Sequence, residues 1–376
     1  MIDKKMIRNT KKPKSMADLP YWRLIWMQFK KHKVAQVGLA ILGIIYLGMI
    51  FCEFIAPNDP LKRIENYYYT PPQKIHFIDE EGKFSFRPFV YDYKVTTDKE
   101  TYKRSFEANT EKKYPIYLFI RGDEYKLWGV FKSDVHLFGV KEGKIIPFGT
   151  DKIGQCVFSQ VAYGGRISLT IGLIGVFVIT VIGVIVGGIS GLLGGIVDSI
   201  IQRIIEIIRS IPMIPLWLAL AAAIPATWPP VRVFIGIVLI ISLLGWTTLA
   251  RVIRGKFISL REEEFIMAAR LSGTSQSKII LKHMIPNFMG YVLVDITITI
   301  PAMILGETAL SFLGLGLHPP TISWGVLLSK AQGLQTVTFY PWLLIPGAFV
   351  VISVIAFNIV GDGLRDAFDP YSVTGR

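Results

Sequence analysis

The chain has 376 residues, 51% of them hydrophobic and 18% charged, with a formal net charge of +13. The two classes are segregated: residues 57–152 carry 17 Lys/Arg and 15 Asp/Glu, whereas the 31 residues 167–197 carry no charge at all. An uncharged run longer than the ~20 residues that cross a bilayer excludes an ordinary soluble enzyme and a disordered chain. Two cysteines exclude a disulfide-dense scaffold and a multi-cysteine metal site.

The basic excess lies beside apolar runs. Residues 1–33 hold ten Lys/Arg against two acids, and residues 251–285 hold seven against three. That placement is the positive-inside pattern and argues against a nucleic-acid surface. Residues 1–33 read as a cytoplasmic basic tail followed by an interfacial helix from Tyr21 to Lys33, where apolar residues alternate with cations. A plain basic flank of the first span is the other reading.

Residues 34–56 are predicted as the first transmembrane helix, a retained anchor because no small-residue cleavage site follows. It stops at Ala56-Pro57-Asn58-Asp59-Pro60. Residues 57–148 are predicted as an inserted β-rich extracytoplasmic domain. Strands are expected at 84–91 and 114–120, with turns at Glu81-Gly82 and Arg121-Gly122-Asp123-Glu124. About 90 residues can bury a core. The aromatics read as that core, with stacking on sugar or peptide as the second reading.

Residues 149–363 complete the membrane core, with spans expected at 167–195, 210–226 (interrupted by Pro212 and Pro215), 231–250, 288–308 and 341–361. Asp198 to Arg209 is an amphipathic cytoplasmic segment, and Leu313 to Tyr340 is external. Gly183, Gly187, Gly191 and Gly195 recur every fourth residue and form a helix-packing stripe. Residues 364–376 are a cytoplasmic tail. The fold class is therefore an all-α polytopic membrane protein with six transmembrane helices and the β-rich insertion between helices 1 and 2. Six spans that start inside also end inside, so both termini are expected in the cytoplasm.

Several chemistries have no visible residues. The three Gly-Lys pairs are followed by Phe, Ile and Phe, so no phosphate-binding Gly-x-x-x-x-Gly-Lys-Ser/Thr loop exists. Histidines 32, 76, 136, 283 and 318 show no metal-ligand spacing, and there is no Gly-x-Ser-x-Gly elbow. No catalytic residue, metal or bound cofactor is expected. Cys52 and Cys156 are expected near the external side, as free thiols by default, with a pairing between them left open by the spacing. Asp295 and Glu307 are acids in or near the fifth span and suggest a pathway or gating role. An interhelical hydrogen bond remains open for Asp295, and a structural hydrogen bond or loop anchor for Glu307.

The loop 262–285 before the fifth span reads as a short helix opened by acids, a break at Gly273, and a second helix halted at Pro286. Small residues at Ala268, Ala269 and Gly273 would let another protein close tightly around it; a solvated loop is the bland alternative. The stretch resembles the Ala-Ala-x-x-x-Gly loop of binding-protein-dependent ABC importer permeases. Ala268, Ala269, Gly273 and Pro286 match in register. The Glu usual before the two alanines is Met267 here, and Glu264 stands nearby.

Other stretches resemble the oligopeptide/dipeptide (OppC/DppC-type) branch. They are Phe54 to Pro60, Phe148 to Ser159, Gly306 to Gly316, and Asn358 to Asp366 with Asp369-Pro370. Gln155 and Cys156 stand where Arg and Asp are usual. The likeness covers about 20–60 and 148–372 and gives residues 61–147 no role.

The resemblance implies a permease subunit of a peptide importer in a bacterial-type plasma (inner) membrane, with several partners: a homologous second permease, two ATPase subunits that bind ATP and Mg, and an extracytoplasmic solute-binding protein. Glu264, Ala268, Ala269, Arg270, Gly273 and Pro286 would form the ATPase-coupling loop. Nickel, glutathione or oligosaccharide are alternative cargoes. Two other classes stay open, a self-contained channel or gradient-driven carrier using Asp295 and Glu307, and a membrane-tethered binding module built on 57–148.

Overall fold

The computed structural model describes residues 21–97, 104–225 and 227–368. The basic tail 1–19 and Asp369-Pro370 lie outside these residues.

The chain enters through α1 (Tyr21–Phe29) and α2 (Lys33–Ile50), followed by one turn, α3 (Cys52–Ile55). Four strands follow: β1 (His76–Ile78), β2 (Phe84–Thr97), β3 (Arg104–Leu127) and β4 (Phe131–Val140). They form one antiparallel sheet in sequence order. The helical core comprises α4 (Val157–Leu193), α5 (Gly195–Ser210), α6 (Met213–Ala222), α7 (Pro230–Arg261), α8 (Glu264–Leu271) and α9 (Gln276–Ile279). It continues through a widened turn at Ile280–Met284 into α10 (Ile285–Phe312), then α11 (Trp324–Ser329), α12 (Leu334–Phe339) and α13 (Ile345–Phe368).

Among the described residues, five helical segments are long and apolar enough to cross a membrane: Lys33–Ile50, Val157–Leu193, Pro230–Arg261, Gln276–Phe312 and Pro341–Phe368. The expected third span at 210–226 differs. Its helix, α6, has only ten residues, about 15 Å at 1.5 Å per residue and too short to cross alone. It joins α5 at an 85° bend, and only if that pair is one span does the number reach six. The bend has a cause in sequence: Pro212 cannot continue the preceding helix and fixes an extended backbone between Ser210 and Met213.

The sheet is more continuous than the sequence suggested. The expected turn at 121–124 lies inside β3, where the β4 register shifts between Arg121 and Tyr125. His136 explains the bulge. A Cβ on Gly122 would come within 2.7 Å of the His136 ring. That ring lies between two carbonyls, with Nε2 2.9 Å from the Asp123 oxygen and Nδ1 2.6 Å from the Ala56 oxygen, and a neutral imidazole donates its one N–H to one of them. A side chain at 122 would displace the histidine that ties the sheet to the exit of the first span.

Helix contacts use small residues, as lipid offers no hydrophobic drive between helices. A Cβ on Gly187 would meet the Ala250 carbonyl oxygen at 2.4 Å, and one on Gly191 the Arg254 carbonyl oxygen at 2.7 Å. One on Gly183 would meet Leu249 at 3.0 Å. Together these let α4 lie along α7. Gly195 leaves this stripe: it opens α5 at φ +54 with nothing within 4 Å. It and Gly194 supply the left-handed backbone that turns α4 into α5. Elsewhere α13 packs on α2 at Gly38, where a Cβ would sit 3.1 Å from the Ala356 oxygen. Cys52 and Cys156 are both buried and unpaired.

Candidate functional site

Buried polar clusters and one exposed helix could carry function. The first cluster joins spans one and two. Glu53 on α3 is buried, and Arg166 on α4 grips its carboxylate with both guanidinium nitrogens, Nη1 at 2.6 Å from Oε1. The same guanidinium donates Nε to the Met49 carbonyl and Nη2 to the Ile50 carbonyl, each at 3.1 Å. These are the carbonyls the last turn of α2 leaves without helical partners, and a cation there also meets the helix dipole. Beside this pair a cleft of about 760 Å³ opens between the sheet, α4 and α7, lined by Asp59, Tyr163, Phe234 and Ile322 among others.

The second cluster centres on Glu307, fully buried on α10. Its Oε1 accepts from Ser311 (2.8 Å) and Ser323 (2.7 Å), and Oε2 accepts from Ser168 on α4 (2.9 Å). The hydroxyls in turn accept backbone N–H groups, Trp324 on Ser168 and Leu317 on Ser311. One carboxylate thereby binds α4, α10 and the segment entering α11. Asp295, also on α10, is half-buried with Thr299 as its hydrogen-bonding neighbour. The two acids are not brought together: they lie twelve residues apart on the same helix.

The third cluster pairs Asp151 with Lys330 at 2.8 Å. Gln160 completes it, accepting from Lys330 at 3.3 Å. Asp151 also receives the Ile153 and Gln155 backbone N–H groups, each at 3.0 Å. The segment before α4 is thus pinned to the connection after α11.

The exposed element is α8. Ile266 points inward among Phe257, Leu260, Ile279 and Met284. Phe265, Met267, Ala268 and Arg270 are exposed, and Leu271 is 90% exposed. Ala269 is half-buried against the core. Three acids, Glu262, Glu263 and Glu264, stand at the positive N-terminal end. The C-terminal end closes as a Schellman motif: Gly273 N–H bonds the Arg270 carbonyl (3.0 Å) and Thr274 N–H the Ala269 carbonyl (3.1 Å). Gly273 takes φ +75 there, the left-handed conformation that glycine adopts without a Cβ clash.

Pro286 does not halt the following helix. It stands at the start of α10, directly after the widened turn Ile280–Met284, and the helical path continues to Phe312. Proline lacks an N–H and its ring crowds the carbonyl four residues back, and a widened turn relieves both constraints.

Sequence reasoning missed Glu53, Arg166 and the Asp151–Lys330 pair. The signal for the first two was present. Glu53 falls within the predicted first span, and Arg166 immediately precedes the uncharged run. Opposite charges at neighbouring span ends are natural partners, because an unpaired charge there is costly. Among the described residues no group of three or more His, Cys, Asp or Glu could hold a metal ion.

A bundle of long apolar helices knit by buried polar pairs, with a small exposed helix between two of its spans, is the architecture of a polytopic membrane protein. The chain belongs to the family described as binding-protein-dependent transport system inner membrane component, whose model matches residues 179–371. A second model, the N-terminal TM domain of oligopeptide transport permease C, matches residues 20–72.

Among individual relatives, the dipeptide transport system permease protein DppC of Lactococcus lactis subsp. cremoris is 33% identical over 353 residues, 94% of this chain and 91% of its own. The oligopeptide permease OppC of Bacillus subtilis is 39% identical over 224 residues, 59% of this chain and 71% of its own. OppC of Escherichia coli is 43% identical over 224 residues, covering 59% and 72%. An inward-facing structure of the MetNI methionine ABC transporter aligns with a TM-score of 0.43 at 20% identity, covering 57% of this chain and 98% of that one. The chain is a permease, a transport subunit of an ABC importer rather than an enzyme.

Proposed function

We infer that this permease forms half of a translocation pathway for di- or oligopeptides, beside a homologous second permease and above two ATPase subunits that bind the ATP and Mg. An extracytoplasmic solute-binding protein delivers the cargo. The observation that carries the cargo class is the likeness to a dipeptide permease along 94% of the chain, including the inserted sheet.

Orientation follows from charge. The Lys/Arg-rich segments 1–33 and 251–285 face the cytoplasm, which places α8 inside and the sheet outside. In this reading α8 is the element an ATPase grips. ATP-driven closure of the ATPase pair moves α8 together with α7 and α10, and the helices switch between two packings as rigid bodies. The exposed face of α8, with its small Ala268, is suited to enter a groove. Asp295, half-buried and outside the three clusters, is the better candidate of the two span-five acids for lining the pathway. Glu307, locked by three serines, has a structural part.

Reconstitution tests this reading. The complete complex in proteoliposomes should import labelled di- or oligopeptides only with ATP inside the ATPase compartment and binding protein on the other side. This chain alone should import nothing. ATP-dependent uptake of nickel, glutathione or oligosaccharide with no peptide uptake would overturn the cargo assignment, and uptake by the isolated chain would overturn the importer assignment.

A further inference from the structure

The β3–β4 hairpin ends in Lys126-Leu127-Trp128-Gly129-Val130-Phe131-Lys132. Leu127 pairs with Phe131 and Lys126 with Lys132. Trp128 and Gly129 both turn through positive φ, 52° and 75°. A soluble hairpin fills such positions with Asn, Asp or Gly, because a large side chain is strained there. Here a tryptophan takes the strain.

The indole shows what holds it. Trp128 Nε1 donates to the Ile50 carbonyl at 2.8 Å, and its ring lies 5.8 Å from that of Phe51. Ile50 is the last residue of α2, the first apolar span. The tip is therefore fixed at the level where the first span ends. Its side chains remain open: Trp128 is 51% exposed, Val130 72% and Phe131 61%. Ile50 and Phe51 are exposed beside them, so the apolar surface of the span continues onto the hairpin. Lys126 and Lys132, both exposed, bound it.

We propose that this tip is a membrane-interface anchor, with Trp128, Val130 and Phe131 seated at the headgroup–acyl boundary and Lys126 and Lys132 reaching lipid phosphates. Aromatic rings with a polar edge are enriched at that depth, and lysine stems run along apolar surface while their ammonium groups stay in water. The unbroken run of apolar surface from the first span, whose outer face meets lipid, onto the tip favours lipid over a protein partner there. The anchor holds the sheet down against the bilayer at a fixed distance from the first span. It requires α2 to span the membrane and is independent of cargo.

The test uses the full chain within its transporter complex in lipid nanodiscs. Val130→Cys and, separately, Phe131→Cys carry an environment-sensitive fluorophore. Labelling of the parent protein, whose Cys52 and Cys156 are buried, sets the background. Lipids brominated near the headgroup end of the acyl chain should cause a loss of fluorescence at both sites, while aqueous iodide should not. Lys83→Cys, in the exposed β1–β2 turn, should show the reverse. Quenching of the tip by iodide alone would overturn the proposal by placing it in water. Protection from both quenchers would overturn it by placing a protein partner over the tip.

Discussion

Arg166 on α4 and Glu53 on α3 form a two-pronged ion pair that also closes the carbonyl end of α2. One guanidinium thus does two jobs, charge compensation and helix capping. Arg166→Met should leave the buried Glu53 carboxylate with the Cys52 thiol alone and the Met49 carbonyl without its side-chain donor, while the Ile50 carbonyl keeps Trp128 Nε1, costing about 3–5 kcal/mol. Glu53→Gln keeps the shape and should cost less. Thermal unfolding of the purified protein in detergent checks the order. Equal midpoints for the two variants would mean the capping bonds add nothing.

The α4–α7 contact offers a sharper comparison. Gly187→Ala drives a Cβ to 2.4 Å from a backbone oxygen of α7. Overpacking of this kind costs about 1–3 kcal/mol. Gly43→Ala on α2 meets nothing within 4 Å and should stabilise by about 0.5–1 kcal/mol through lost backbone freedom. Opposite shifts in the unfolding midpoint are expected for these two changes of the same type.

The difference between those glycines also marks how far the sequence could be read. A spacing of four placed Gly183, Gly187 and Gly191 on one face, because helical period is local information. The same spacing wrongly included Gly195, since periodicity continues on paper where the backbone turns at Gly194 and Gly195. The uncharged run located the membrane core, but its helix begins at Val157, ten residues before the run, because Arg166 is paired with Glu53 and can enter the span. Span three shows the opposite limit: the interruption at Pro212 is legible in the sequence, but the 85° bend it produces between α5 and α6 is set by the backbone. The Schellman closure at Gly273 was visible only as a break, as its hydrogen bonds reach back to Ala269 and Arg270.

Glu307 is expected to act through its acceptors. Glu307→Ala would strip three serine hydroxyls of their partner at about 1–3 kcal/mol for each group left unsatisfied. Glu307→Gln keeps one oxygen for Ser311 and Ser323 and disturbs chiefly Ser168. Expression and thermal stability should fall strongly for alanine and mildly for glutamine. Loss of uptake in the glutamine variant at unchanged stability would instead assign this carboxylate a direct part in transport.

Acid should weaken the link between the sheet and the exit of the first span. Burial pushes the Asp123 carboxyl up, but the Lys62 ammonium and the Asp59 N–H outweigh it and hold the carboxyl below its ordinary value. A carboxylate depressed in the folded state contributes stability that is complete above the unfolded value of 3.8 and is lost as pH falls through the lower folded value. Asp123→Asn should destabilise the protein at neutral pH and flatten the stability profile in that acidic window. The gap between wild type and variant should close toward the acid end; a constant gap would exclude this carboxylate as the source.

The coupling role proposed for α8 separates from its folding role residue by residue. Ala268 is exposed, so Ala268→Glu should leave insertion and abundance intact while adding bulk and charge to the docking face. ATP hydrolysis by the assembled complex should persist and peptide uptake should fall. Gly273 acts differently, through its backbone. Gly273→Ala forces a Cβ into the left-handed region at about 1–2 kcal/mol, and Gly273→Asn, which tolerates that region, should cost less. If the Schellman geometry sets the angle at which α8 is presented, uptake per ATP should fall in the order glycine, asparagine, alanine. An asparagine variant no better than alanine would show that space at position 273, rather than its backbone conformation, governs coupling.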